Sequence, residues 1–268
     1  MIDTSVAQER VALDDGAQTT FERWGETGPL VVCVHGMTSS RKSWERTALH
    51  LSDRFRVVAY DQRGHGDSAG VTGPMTIARA VRDLENVVAT LGETPDALLG
   101  HSWGGAVAIL AGRSLPVARV AAIDPVLRHL PQQWYREMLE EVAPMFALQG
   151  AARDAYVRED YAAWPEIDRE RKVHAVARMT LAPLHGLRDE NDEQTWDLLP
   201  ALVDYPKPLL LAIADPDESI VAPADLASVE RRAGDAVKIV VFEGEGHNLH
   251  RMAFDRFAAE LDAFLAAG

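Results

Sequence analysis

Three kinds of side chain, far apart along the chain, could together attack a carbonyl carbon. Ser102 stands in "GHSWGG" (100–105), where Gly100, Ser102 and Gly104 fit the pattern G-x-S-x-G. Small neighbours let a backbone reverse tightly and pack closely, which leaves the central side chain standing free in a strained turn. A serine hydroxyl is a weak nucleophile near neutral pH; it needs a base to take its proton, a group to orient that base, and donors for the oxyanion. A plainer role competes, because serine is also a common N-cap of helices.

The base is expected in "EGHNLHRM", where His247 follows Gly246 and precedes the last helix. His250 is the local competitor, nearer that helix, where a histidine caps, hydrogen-bonds or lines a pocket. His101 flanks Ser102 on the wrong side of the turn. For the orienting carboxylate, "DPDESIV" after "PLLLAIA" offers Asp215 and Asp217. Asp217 is the better placed to turn back toward the base, and Asp215 closes the turn before Pro216. Asp124 in "AAIDPV" is a third candidate. Oxyanion donors are backbone groups and can be placed by position only: the amide of Met37 in "HGMTSS", after Gly36, and the amide of Trp103 at the start of the helix that follows Ser102. His35 is expected to shape that loop by hydrogen bonding and, with His250, to sit in the pocket wall.

These residues must be held at the ends of strands, since the crevice of an open parallel sheet lies outside the carboxyl ends of its strands. "LVVCV" (30–34), "RVVAY" (56–60), "DALLG" (96–100) and "VARVAAI" (117–123) are short, nearly continuous apolar runs, as expected for strands covered on both faces. "PLLLAIAD" (208–215) and "AVKIVVFEG" (236–244) continue the series. Ile77, Val81, Leu84, Val88 and Leu91 fall at helical spacing ahead of Gly92, and a terminal helix is expected from Met252 to Ala267. "ERVALDDGAQTTFERWG" reads as an opening hairpin turning at Asp14-Asp15-Gly16. Strand and helix alternate, so the fold class is α/β, mostly parallel, with helices on both faces.

The alternation fails from about 127 to 200, which marks an insertion; residues 1–126 and 201–268 form the core. The insertion carries Trp134, Trp164 and Trp196, with Met138, Met145 and Met179, and is laced with charge. Amphipathic aromatics suit a pocket wall, so Trp134, Met138 and Trp164 are expected there, although each could equally anchor the insertion to the core.

Composition narrows the functional classes. The chain has 268 residues, 47% apolar and 25% charged, enough for a substantial core. A net charge of -14 with no basic cluster disfavours nucleic acid. No run of 18 uncharged apolar residues occurs and the opening is polar and acidic, so neither a membrane span nor a secretory signal is expected, and the reading is a cytoplasmic protein. The single cysteine, Cys33, reads as a buried small hydrophobe. His247-x-x-His250 lacks a carboxylate or thiol companion, so no metal is expected, and no cofactor. A small-molecule substrate is implied, and a homo-oligomer stays open.

The segments "HGMTSS", "DQRGHGDS", "GHSWGG", "DPDESI" and "GEGHNLHR", in this order and at strand ends, resemble the α/β-hydrolase fold family over most of the chain outside the insertion. The resemblance implies Ser102 as nucleophile, Asp217 as acid and His247 as base. It also implies an eight-stranded sheet whose second strand is antiparallel, and a helical cap inserted after the sixth strand. Two departures stand out: Ala214 replaces the glycine usual in the acid loop, and that loop is one residue longer, which keeps Asp215 in play. A serine in the elbow argues against the epoxide hydrolases and haloalkane dehalogenases of this fold, which use aspartate. The expectation is a serine hydrolase of a small, mainly uncharged ester or lactone. A carbon–carbon bond hydrolase of a diketone-like ring-cleavage product and a ligand receptor on the same scaffold remain as alternatives.

Overall fold

A computed structural model of the chain describes residues 9–267. The first eight residues, part of the opening read as lacking a secretory signal, lie outside the described residues. The strands are β1 (Glu9–Ala12), β2 (Gln18–Trp24), β3 (Leu30–Val34), β4 (Arg56–Tyr60), β5 (Ala97–His101), β6 (Arg119–Ile123), β7 (Leu209–Ala214) and β8 (Val237–Phe242). They form one eight-stranded sheet in the order β1-β2-β4-β3-β5-β6-β7-β8. β2 pairs antiparallel with both β1 and β4, and every later pairing is parallel, as the resemblance implied.

The continuous apolar runs are explained by burial on both faces. Within β3, Val32 and Val34 join one core cluster while Val31 and Cys33 join the other; within β7, Leu209, Leu211 and Ile213 divide from Leu210, Ala212 and Ala214 in the same way. Alternate side chains of a strand point to opposite faces, so a strand with helices above and below shows no polar alternation. One face is covered by α2 (Ile77–Leu91) and α3 (Trp103–Ser114), the other by α1 (Glu45–Leu51) and α11 (Phe254–Ala266). α2 begins at Thr76, whose side chain accepts from the Arg79 amide, and ends at Gly92 in the left-handed conformation, φ 71°. Cys33 is fully buried and burial pushes its thiol pKa up, so it acts as a small hydrophobe.

Between β6 and β7 lie α4 (Gln132–Ala147), α5 (Gly150–Asp160), α6 (Glu166–Val176), α7 (Ala182–Asp189) and α8 (Leu199–Val203). α9 (Pro223–Arg232) then joins β7 to β8. The C-terminal helix differs from expectation. It is broken at Ala253 into α10 (Leu249–Met252) and α11, so His250 falls inside the first piece and not ahead of a continuous helix.

Candidate active site

Ser102 occupies the single residue between β5 and α3, with φ 56° and ψ −121°, a region that non-glycine residues enter at a cost of roughly 1–3 kcal/mol. The surroundings hold it there. Its amide donates to the Ile123 carbonyl at 2.9 Å, and its carbonyl accepts from the amides of Gly105 and Val126 at 3.0 and 3.2 Å. The flanking glycines are there for space: a Cβ on Gly104 would collide with the carbonyl oxygens of Val34 and His35, and one on Gly100 with that of Gly104. Although Ser102 sits at the N-cap position, its hydroxyl makes no capping bond. The side chain is therefore left for another use.

The histidine of the β8 turn meets an aspartate, but not the one favoured from sequence. His247 Nδ1 donates to Asp124 Oδ2 at 2.6 Å, across 123 residues of chain. Asp124 follows β6 with φ 39° and is fully buried. Its second oxygen, Oδ1, accepts from the Ala214 amide at 3.1 Å and from the Ser219 hydroxyl, while Oδ2 also accepts from the Ile220 amide at 3.0 Å. A buried carboxylate is costly unless paired and hydrogen-bonded, and here four donors converge on it.

The placement of Asp217 is accordingly corrected. Its side chain is exposed, and its amide donates to Asp215 Oδ1 at 3.1 Å. Asp215 closes the turn, as read: its Oδ2 accepts from the Gly244 amide at 2.7 Å, and that bond together with the Asp217 amide holds its carboxyl below the usual carboxylate range. The physical reason is one of direction. The backbone of this loop is spent on the turn and on donors for Asp124, so the loop braces the aspartate of the neighbouring strand in place of supplying its own. Ala214, noted as a departure from the usual glycine, contributes one of those donors.

Ser102 and His247 line one cavity of about 300 Å³, with Met37 from the loop after β3 and Trp134, Met138 and Trp164 from the helices between β6 and β7. Gly36 passes so near the elbow that a Cβ there would lie 3.0 Å from the Ser102 Cβ. Trp103 is the first residue of α3, where amides lack intrahelical partners; its side chain turns into the core, meeting Trp196 edge to face with ring centroids 4.7 Å apart and donating from Nε1 to Gln62 Oε1 at 3.0 Å. Trp196 is thus core and not pocket wall.

Two other placements are corrected. His35 and His250 do not line the cavity. His35 is buried beneath it, with Nδ1 donating to the Gly36 carbonyl at 2.8 Å and Nε2 accepting from the Gln62 amide at 3.0 Å, which is the loop-shaping role alone. His250 packs against His101 at 4.3 Å and Trp44 at 5.5 Å, and burial pushes its pKa well below the ordinary value. His101, set aside in the sequence, braces the backbone of His247. Its Nε2 donates to the His247 carbonyl at 3.0 Å, and burial keeps its ring neutral.

Sequence reasoning also missed two cations. Lys172 on α6 and Arg251 on α10 line the cavity, 6% and 5% exposed, in segments whose charges suggest a solvated surface. No group of three or more His, Cys, Asp or Glu side chains is placed to hold a metal among the described residues, and no described helix is long and apolar enough to cross a membrane.

The family model described as "Alpha/beta hydrolase family" matches residues 31–260. The chain is 32% identical over 195 residues to the lipase LipV of Mycobacterium tuberculosis, covering 69% of this chain and 68% of that protein. It is 27% identical over 258 residues to the 2-(acetamidomethylene)succinate hydrolase of Mesorhizobium japonicum, covering 90% and 89%. It is also 28% identical over 241 residues to the magnesium-chelatase 30 kDa subunit of Rhodobacter capsulatus, covering 85% and 84%. Among solved structures, an E-2-(acetamidomethylene)succinate hydrolase superposes with a TM-score of 0.80 at 26% identity over 98% of this chain and all of that one. With its sheet, its serine elbow and a family match over most of its length, the chain belongs to the alpha/beta hydrolase family.

Proposed function

We propose that this protein is a serine hydrolase that cleaves a small ester or lactone through an acyl-enzyme, with Ser102 as nucleophile, His247 as base and Asp124 as the orienting acid. The observation that carries this reading is the 2.6 Å bond from His247 Nδ1 to the buried Asp124, on a histidine that shares its cavity with the strained, uncapped Ser102. With Nδ1–H held by the carboxylate, Nε2 carries the lone pair that accepts the serine proton.

Ser102 Oγ adds to the carbonyl carbon as its proton passes to His247 Nε2. The oxyanion is held by the amides of Met37 and Trp103, at positions where the Gly36 approach and the α3 N-terminus leave room and favour negative charge. Collapse of the tetrahedral species breaks the bond to the leaving alcohol, which takes the proton back from His247. Water then adds to the acyl-enzyme by the same relay, releasing the acid and restoring Ser102. Residues 127–200 act as a cap, and Trp134, Met138 and Trp164 give the acyl or leaving group its apolar wall. The likeness to a hydrolase whose named substrate bears an acetamido group supports a second reading, an amide in place of the ester, run by the same residues.

The test is nitrophenol release from short acyl esters. Wild-type turnover should be lost by about 1,000-fold or more in Ser102→Ala. Turnover that survives this substitution would exclude Ser102 as the nucleophile.

A further inference from the structure

The cavity holds charge where an uncharged substrate would need none. Lys172 donates from Nζ to the Thr38 carbonyl at 2.9 Å and hydroxyl at 2.7 Å, and lies over the Tyr161 ring at 4.8 Å. Arg251 stacks over Trp164 at 4.4 Å and reaches only neutral oxygens, Asn248 Oδ1 at 3.2 Å and Ser39 Oγ at 3.4 Å. Its Nε is buried with no hydrogen-bond partner. The two cations come from different elements and converge on Thr38 and Ser39, the two residues that follow Met37.

Burying a cation without a counter-charge is expensive, and neither of these pairs with a carboxylate among the described residues. The nearby acids offset this only in part. Asp168 is buried, faces Arg46 at 3.5 Å and acts on Arg251 through space without a direct ion pair, while Glu141 and Glu218, which also line the cavity, are exposed at its rim. Burial, with the Arg251 charge beside it, pushes Lys172 down to about 7, and an anion bound against it would favour its charged form.

We infer that Arg251 and Lys172 form an anion subsite for a carboxylate on the substrate, held along the Thr38–Ser39 wall while the scissile carbonyl lies at Ser102. This departs from the expectation of a mainly uncharged substrate, and it rests on the Ser102 hydrolase reading for the position of the reacting bond. Arg251 brings a guanidinium and Lys172 a point charge beside it, two cations on one stretch of the cavity wall.

The test compares two nitrophenyl esters of equal acyl length, the hemiglutarate with its free carboxylate and the neutral pentanoate. In wild type, kcat/KM should favour the hemiglutarate by about tenfold or more, and Arg251→Gln and Lys172→Gln should each pull that ratio toward one. A wild-type ratio at or below one overturns the inference, as does a ratio that survives both substitutions. If Arg251→Gln does not fold, the wild-type ratio and Lys172→Gln decide. Calorimetric binding of both esters to Ser102→Ala separates the two claims. Tighter binding of the hemiglutarate supports the subsite even if neither ester is cleaved by wild type, a result that would sink the hydrolase reading alone; equal binding removes the subsite and leaves the hydrolase reading standing.

Discussion

Two strand-end turns lie side by side in the sheet, and both carry aspartates, but they do different work. The turn after β6 puts Asp124 out of water under three donors from the next turn and against His247, the fourth. The turn after β7 leaves Asp217 in solvent and binds Asp215 to its own backbone and to the Gly244 amide. A carboxylate that orients a base must be fixed in direction and shielded from water, and burial with convergent donors provides both. The comparison teaches that the second turn is not redundant. It supplies the Ala214, Ser219 and Ile220 donors that hold the aspartate of the first.

The largest effect that could break this comparison is in turnover. Asp124→Asn should cost about 10,000-fold in kcat, because an amide leaves the imidazole free to adopt the wrong tautomer, while Asp217→Asn should stay within about threefold of wild type, measured by ester hydrolysis. A smaller effect sharpens it. Ser219→Ala removes one of the four donors to Asp124 without touching the histidine, and kcat should fall by about three- to tenfold with KM little changed. The smallest lies in stability. Asp215→Asn should lower Tm at pH 7 by on the order of 2 °C with activity retained. The sign follows from its depressed pKa: the carboxylate stabilises the fold above its ordinary pKa of 3.8, and the contribution is lost as pH falls through the lower, folded value. The Tm difference between variant and wild type should therefore shrink on acidification.

Much of the sheet was legible because buried parallel strands announce themselves as apolar runs. The runs at 30–34 and 56–60 coincide with β3 and β4. Ser102 was legible from its glycines, whose cause is the collision that any Cβ would make with neighbouring carbonyls. The aspartate that meets His247 was not, since three aspartates stand at strand ends and their spacing along the chain carries no information about which side chain turns inward. Lys172 and Arg251 were hidden for a related reason. Charged residues in "ERKVHAVARM" and "HNLHRM" read as solvated faces, and only packing of the helices between β6 and β7 over the strand ends reveals that two of them are buried.

The most direct test of the account is the rate at which a fluorophosphonate labels Ser102, read by intact mass and peptide mapping in wild type, Asp124→Asn and Asp217→Asn. A single adduct on Ser102, slowed by orders of magnitude only in Asp124→Asn, is the result predicted. Equal labelling of wild type and Asp124→Asn, with the loss appearing instead in Asp217→Asn, would contradict it.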